Sequence, residues 1–340
     1  GSVEVAVSTN LGSWTALSNE TWCEVTLAEG KFTVSADAND ALAARPTATV
    51  TVTAGEGERS ITREVRVTQG AQTFTDLSAA GCANCYIVAP KSASVFDAAY
   101  KGNSSTESIG AAEGAELVWQ SAQGLVTRVA YAADEKKIIV ETADKSGNAV
   151  VAAVDESGTI LWSWHLWIVD YDPSASLFTT APNASGTTWS FMDRNLGALT
   201  VERGSFDSHG LLYQWGRKDP FVGPRYYNMA DSADAQVYDS QNLRVYPEYA
   251  ATDAERGAAG YASAHAMTFI TGTKESGYNW LQTADASLWG TEKNNNDPCP
   301  KGWKVPSKEV FAALHIKDVI SPELEKNYGF TSVSYTHLRA

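Results

Sequence analysis

The first seventy residues alternate apolar and polar side chains with a period of two. Residues 47–53 read TATVTVT and residues 63–69 read REVRVTQ, and Gly55-Glu56-Gly57-Glu58 between them supplies a turn, so the pair predicts an antiparallel hairpin. A further strand is expected over residues 31–36; Trp14 and Trp22 fall near strand positions, with Asn19-Glu20 as a turn signal. Short strands at this spacing predict a β-sandwich over residues 1–72.

From Thr73 the pattern changes. Tyr86-Ile87-Val88-Ala89-Pro90 reads as a strand ended by proline, followed by the Gly/Ser-rich loop KGNSSTESIGAAEG at 101–114. Strand signals resume at 116–120, 125–132, 137–141, 149–154 and 159–169, and compact polar turns at 133–136 and 155–158 join them as hairpins. Residues 73–172 are therefore expected to form a middle antiparallel β-domain. Its last strand, ILWSWHLWIVD, is apolar on both faces, which places it as a central strand covered on both sides. Beyond Pro173 the chain becomes turn-rich. A single helix is expected from an N-cap at Ser307, with Glu309 in the first turn and Val310, Phe311 and Leu314 on one face.

The chain has 340 residues, 44% of them hydrophobic and 10% aromatic, enough to pack two or three cores. A net charge of −14 argues against nucleic acid and anionic membranes as partners. The longest apolar run, 160–169, is interrupted by Ser163 and His165, so no membrane span is expected. The chain opens at Gly1-Ser2 without Met, which reads as a tag remnant or as a boundary upstream of an already processed segment, and the composition fits an exported origin. Four cysteines, Cys23, Cys82, Cys85 and Cys299, are too few for a disulfide scaffold. The Cys82-Ala83-Asn84-Cys85 spacing leads into a strand, not the helix that a redox pair uses, and no second Cys or His pair stands at zinc-ligand spacing.

Two dense motif blocks stand out: GTTWSFMDRNLGALTVERGSFDSHGLLYQWGRKDPF at 186–221 and NDPCPKGWKVPS at 296–307. They resemble the C-terminal domain of fimbrillin-like pilus proteins of Bacteroidetes and the related Fibrobacter succinogenes major domain, which carry similar NL…GLLYNW…CPxGWxVP blocks. The order of blocks agrees too, with GNAVVA and GTILWSWHLW ahead of MDRNLGA. In the N-terminal segment Trp22-Cys23-Glu24-Val25, Arg45 and the closing VRVTQGA at 65–71 resemble a BACON domain, a module that has been proposed to bind carbohydrate; the likeness implies that the sandwich over 1–72 is Ig-like. These resemblances imply a mainly β protein ending in a loop-rich, C-type-lectin-like α+β domain over 173–333. They also imply that this domain is truncated and that Cys299 lacks a partner it has in longer relatives; residues 334–340 (SYTHLRA), foreign to the composition before them, are expected to be a non-native tail. An exported, cell-surface or extracellular location follows from the same likeness.

Candidate chemistry is sparse. His165, flanked by tryptophans, reads as a satisfied core residue, and His209, His265, His315 and His337 form no metal-ligand pair. Forty acidic residues make some carboxylate pair inevitable, but none is marked out, and no nucleophile elbow, phosphate loop or dinucleotide motif is present. No catalytic residue and no metal site is therefore assigned. Asp193, Arg194 and Asn195 are expected as a buried, hydrogen-bonded support of an irregular loop, and Arg217-Lys218-Asp219 likewise. Trp189, Met192, Leu196, Leu211, Tyr213, Trp215 and Trp303 are expected to share one core. Ligand contacts are assigned to Trp280, Trp289, Asn294, Asn295 and Asn296, the rings for stacking on sugars and the amides for sugar hydroxyls. The same oxygen-rich run, with Asp285, also fits Ca2+, the one cofactor the composition admits. The reading is a non-enzymatic, pilus-tip-like surface adhesin presenting a lectin-like domain to a glycan or a surface protein, with other pilin subunits as further partners. The alternative is a carbohydrate-binding accessory protein of a secreted glycan-utilisation system.

Overall fold

Alternation builds the N-terminal part of this computed structural model, which describes residues 1–39, 41–180, 182–183, 185–202, 205–222, 236–307 and 310. The chain divides into two units, Gly1–Phe74 and Thr75–Ala340. In the first, strands β1 (Ser2–Ala6), β2 (Trp14–Ser18), β3 (Glu24–Ala28), β4 (Lys31–Ser35), β5 (Ala48–Ala54) and β6 (Ile61–Val67) form two three-stranded antiparallel sheets, ordered β1-β4-β3 and β2-β5-β6. Phe32 and Val34 of β4 point inward on alternate positions and pack with Ala16, Cys23, Ala48 and Val50. Trp14 lies 6.3 Å from Phe32. The predicted hairpin is β5–β6, paired from Ala48↔Val67 to Ala54↔Ile61. Its turn requires a glycine at position 55, where φ is +85° and a Cβ would lie 2.6 Å from the Arg59 carbonyl oxygen.

The second unit is also mainly β. Its strands are β7 (Thr75–Asp76), β8 (Cys85–Val88), β9 (Ala93–Asp97), β10 (Gly114–Gln120), β11 (Val126–Ala132), β12 (Lys137–Thr142), β13 (Gly147–Val154) and β14 (Ile160–Ile168). Shorter elements follow: β15 (Leu177–Thr179), β16 (Ser190–Met192), β17 (Val237–Tyr238), β18 (Arg244–Val245), β19 (Glu248–Ala251), helix α1 (Ala259–Ala264) and β20 (Thr268–Thr271). A six-stranded sheet, β18-β17-β10-β13-β14-β8, lies against a four-stranded sheet, β11-β12-β9-β7. Tyr86, Phe96, Ile138, Val151 and the β14 residues Trp162 and Trp164 fill the space between them. The Phe96 and Trp164 rings meet edge to face at 5.4 Å.

Strand β14 is covered on both faces, as its double-sided apolar pattern predicts: all residues from Trp162 to Ile168 are buried. Trp162, Trp164, Leu166 and Ile168 face the sandwich, and Ser163, His165 and Trp167 point the other way, into a layer of loops. The middle segment, expected to be antiparallel throughout, has two pairings that are not: β8 runs parallel to β14, and β7 parallel to β9. The hairpin β13–β14 closes on Asp155, whose Oδ1 accepts from the backbone of Ser157 and Thr159 at 2.9 Å each. The same word, Asx-x-Ser-Gly-Thr, recurs at Asn183, whose Oδ1 accepts from Ser185 and Thr187 between β15 and β16.

Segments 73–172 and 173–333, expected as separate domains, fall in one unit. The reason is visible in the sheet: β17 and β18 extend it through β10, and the loop layer packs on the back of β13 and β14. The helix expected from Ser307 falls mainly on residues outside those described, as does the 334–340 tail. Among the described residues no helix is long and apolar enough to cross a membrane.

Candidate functional site

The loop layer has few ladders, so buried side chains take over the task of satisfying its backbone. The Trp167 indole donates to the Ala198 carbonyl at 3.1 Å, and Asn148 Nδ2 of β13 donates to the Gly197 carbonyl at 2.9 Å. Asn148 Oδ1 in turn meets His165 Nε2 at 2.9 Å. Burial pushes the His165 imidazole down to about 3, so it is neutral at physiological pH. Gly197 is required here: its φ is +81°, and a Cβ would lie 2.5 Å from Leu211 Cγ.

The run Arg217-Lys218-Asp219 is another pin, and all three side chains are buried. Lys218 Nζ donates to Asp219 Oδ1 at 2.7 Å, to the Ser163 carbonyl at 3.1 Å and to Ser163 Oγ, while Ser163 Oγ donates to the same Asp219 oxygen at 2.6 Å. Desolvation lowers the Lys218 pKa, and the Asp219 charge opposes that shift. Asp297 does similar work in the second motif block, accepting from the backbone of Cys299 at 2.8 Å and Val305 at 2.9 Å and from Lys293 Nζ at 3.0 Å.

Trp189, Met192, Leu196, Leu211, Tyr213, Trp215 and Trp303 do not share one core. Leu211 and Tyr213 pack on Trp119 and Val150, whereas Met192 and Leu196 join Cys85 and Trp167. Trp215 is 40% exposed, its ring 5.9 Å from that of Trp289. The physical reason is the breadth of the sheet beneath: a layer without ladders settles on it in separate patches, each fixed by its own buried polar group.

Trp189 and Trp303 instead line a groove of about 750 Å3 among the described residues, together with Phe191, Met192, Arg194 and Leu196. Strand β16 carries Phe191, and Trp189 precedes it by two residues, so both rings reach the same wall. At the floor Arg194 grips Asp193 with two bonds, Nε to Oδ1 at 2.8 Å and Nη2 to Oδ2 at 3.2 Å. The guanidinium also lies 3.9 Å from the centre of the Tyr171 ring. Burial works against the Arg194 charge, but the bond to Asp193 outweighs it and its pKa stands above the ordinary value. Asn195 on the same wall donates to the His209 carbonyl at 3.0 Å. Glu292 and Lys304 complete the charged lining, and Cys299, whose thiol is raised well above its usual pKa by burial, is among the lining residues. The period-two word Trp-Ser-Phe at 189–191 was the available signal for this wall; sequence reasoning spent it on a core.

The ligand contacts assigned from sequence are distributed otherwise. Trp280 is buried, packs with Leu281 and Leu288, and donates to the Trp215 carbonyl at 2.7 Å. Trp289 is half-buried and donates to the Asn296 carbonyl at 2.8 Å. Asn294 donates to the Ser287 carbonyl at 2.6 Å and caps the Asn296 backbone at 2.9 Å. Asn84 reaches the Asn295 carbonyl at 2.7 Å and the Asp297 carbonyl at 2.8 Å. The asparagine run thus folds into a turn clamped to the start of β8. Trp289, Asn294 and Asn296 come together there, whereas Trp280 points into the core.

Residues 12–70 match the BACON family profile, described as "Putative binding domain, N-terminal". The N-terminal unit therefore holds a BACON domain. No curated protein matches the chain. Among solved structures, the endo-fucoidan hydrolase MfFcnA4 of glycoside hydrolase family 107 aligns at 11% identity over 49% of this chain and 26% of its own, with a TM-score of 0.16. InvD of Yersinia pseudotuberculosis aligns at 12% identity over 55% of this chain and 60% of its own, with a TM-score of 0.17. The chain thus spans about a quarter of the first protein and 60% of the second.

Proposed function

We propose that the chain is a non-enzymatic, exported binding protein of the cell-surface adhesin type, pilus-tip-like, whose C-terminal unit holds a glycan in the groove between Trp189 and Trp303. The groove itself carries the reading. Its volume of about 750 Å3 falls within the range of small-molecule sites, and its aromatic walls offer the flat faces on which sugar rings stack. Asp193 and Glu292 are balanced by Arg194 and Lys304, which favours a neutral sugar over a sulfated or sialylated one. Both Asp193 oxygens accept from Arg194, so this carboxylate is committed to positioning and not to proton transfer. The BACON match supports binding as the role of the N-terminal unit.

A carbohydrate-binding accessory protein of a glycan-utilisation system is the second reading, and the same groove supports it. A glycan array probed with the whole chain tests the shared core of both, with retention of neutral oligosaccharides expected and at least a tenfold loss in Trp303→Ala and Trp189→Ala. No binding to any glycan, or equal binding by the variants, would refute it. Self-association into polymers would separate the adhesin from the accessory protein.

A further inference from the structure

Arg217 is 2% exposed, and four of its five N–H groups are accounted for. Nη1 donates to Gln214 Oε1 at 2.9 Å and the Thr268 carbonyl at 2.7 Å; Nη2 donates to the Ala262 and His265 carbonyls at 3.3 and 3.1 Å. Nε has no protein acceptor. A buried charged donor left in that state carries the full cost of its desolvation, so native proteins seldom leave one. Beside the side chain lies a cavity of about 10 Å3, walled by Arg217, Lys218, Asp219, Ser263, Trp280 and Asn296. That is close to the roughly 10–15 Å3 that one water needs, and polar walls hydrate where apolar ones stay empty.

We propose that this cavity is a built site for one ordered water, which accepts the Arg217 Nε–H and donates to oxygens on its wall, Ser263 Oγ and the Asp219 carboxylate among them. Ser263 Oγ donates to the Ala259 carbonyl at 3.2 Å and keeps lone pairs to accept with. The Trp280 N–H is spent on Trp215, so the indole contributes a wall and no competing donor. A halide fits worse, because a cavity of about 10 Å3 is at the lower limit of what one water fills and a halide is larger than water. The water completes a clamp: Arg217 ties α1 and β20 to the motif loop, and the next two residues tie that loop to Ser163 of β14.

Two readouts on the full chain test this. A crystal structure at a resolution that shows ordered solvent should place one peak about 2.7–3.2 Å from Nε. In 15N-labelled protein, the Arg217 Nε–H should show an Overhauser cross-peak at the water frequency with the sign of a long-lived contact. An empty cavity beside otherwise ordered solvent, a halide there after a bromide soak, or an Nε–H lacking the water cross-peak would overturn the proposal.

Discussion

The two faces of β14 are held by different physics. On one, Trp162, Trp164, Leu166 and Ile168 pack into a sandwich whose strands satisfy each other's backbone groups. On the other, Ser163 and Trp167 bond directly to the loops, through Asp219 and the Ala198 carbonyl, while His165 holds Asn148 of β13, which donates to the Gly197 carbonyl. Regular structure needs only apolar side chains of the right period, because the ladder looks after its own N–H and C=O groups. An irregular layer must obtain the same satisfaction from particular residues, which is why the motif blocks bury charged side chains such as Arg217, Lys218, Asp219 and Asp297.

Asp219→Ala should break that comparison hardest. It leaves the Lys218 ammonium buried without its carboxylate, a change expected to cost about 3–5 kcal/mol. Native-state hydrogen exchange should show the loop layer losing protection while the β9, β12 and β13 amides keep theirs. Uniform loss in both layers would mean that the two faces are one cooperative unit. Trp164→Ala, on the sandwich face, should also cost about 3–5 kcal/mol but release both layers together in chemical denaturation, since the loops have no support without the sheet.

Acid gives a smaller, graded test. Burial holds the folded His165 pKa near 3, so between its ordinary value of 6.5 and that point the unfolded chain binds a proton that the folded chain does not. This contribution is fully present above that window and is lost as pH falls through it, with a slope approaching 1.4 kcal/mol per unit, roughly. His165→Gln should flatten the slope in urea titrations between pH 7 and 4; an unchanged slope would assign the acid sensitivity elsewhere.

The smallest effect is expected at Trp215. Its sequence context places it in a core, yet it is 40% exposed and rests on Trp289, so Trp215→Ala should cost only about 1 kcal/mol or less. A failure of the variant to fold would restore the shared-core reading.

What was legible in the sequence follows the same division. Period-two words located β5, β6 and β10–β14 to within a residue or two, and the doubled apolar face of 160–169 placed β14 in the middle. The parallel partnership of β8 with β14 was hidden, because register between strands far apart in the chain leaves no local trace. Helix α1, AGYASA, has small residues where an apolar stripe would be; it packs Ala262 and Tyr261 against Ile270 and Trp280, and Arg217 donates to the Ala262 and His265 carbonyls at its end. Within the motif blocks, residue types pointed to buried support but could not say which ring faces a core and which a groove. In a layer without a repeating period, that depends on distant partners such as Asn84, Asn148 and Ser163.

The most direct test of the account is a calorimetric titration of the full chain with the strongest neutral oligosaccharide from the array, beside Trp303→Ala, with the sugar recovered afterwards. The account predicts stoichiometric heat for the parent chain, at least tenfold weaker binding for a variant with unchanged circular dichroism, and intact sugar. Equal binding by a folded Trp303→Ala chain, or recovery of cleaved sugar, would contradict it.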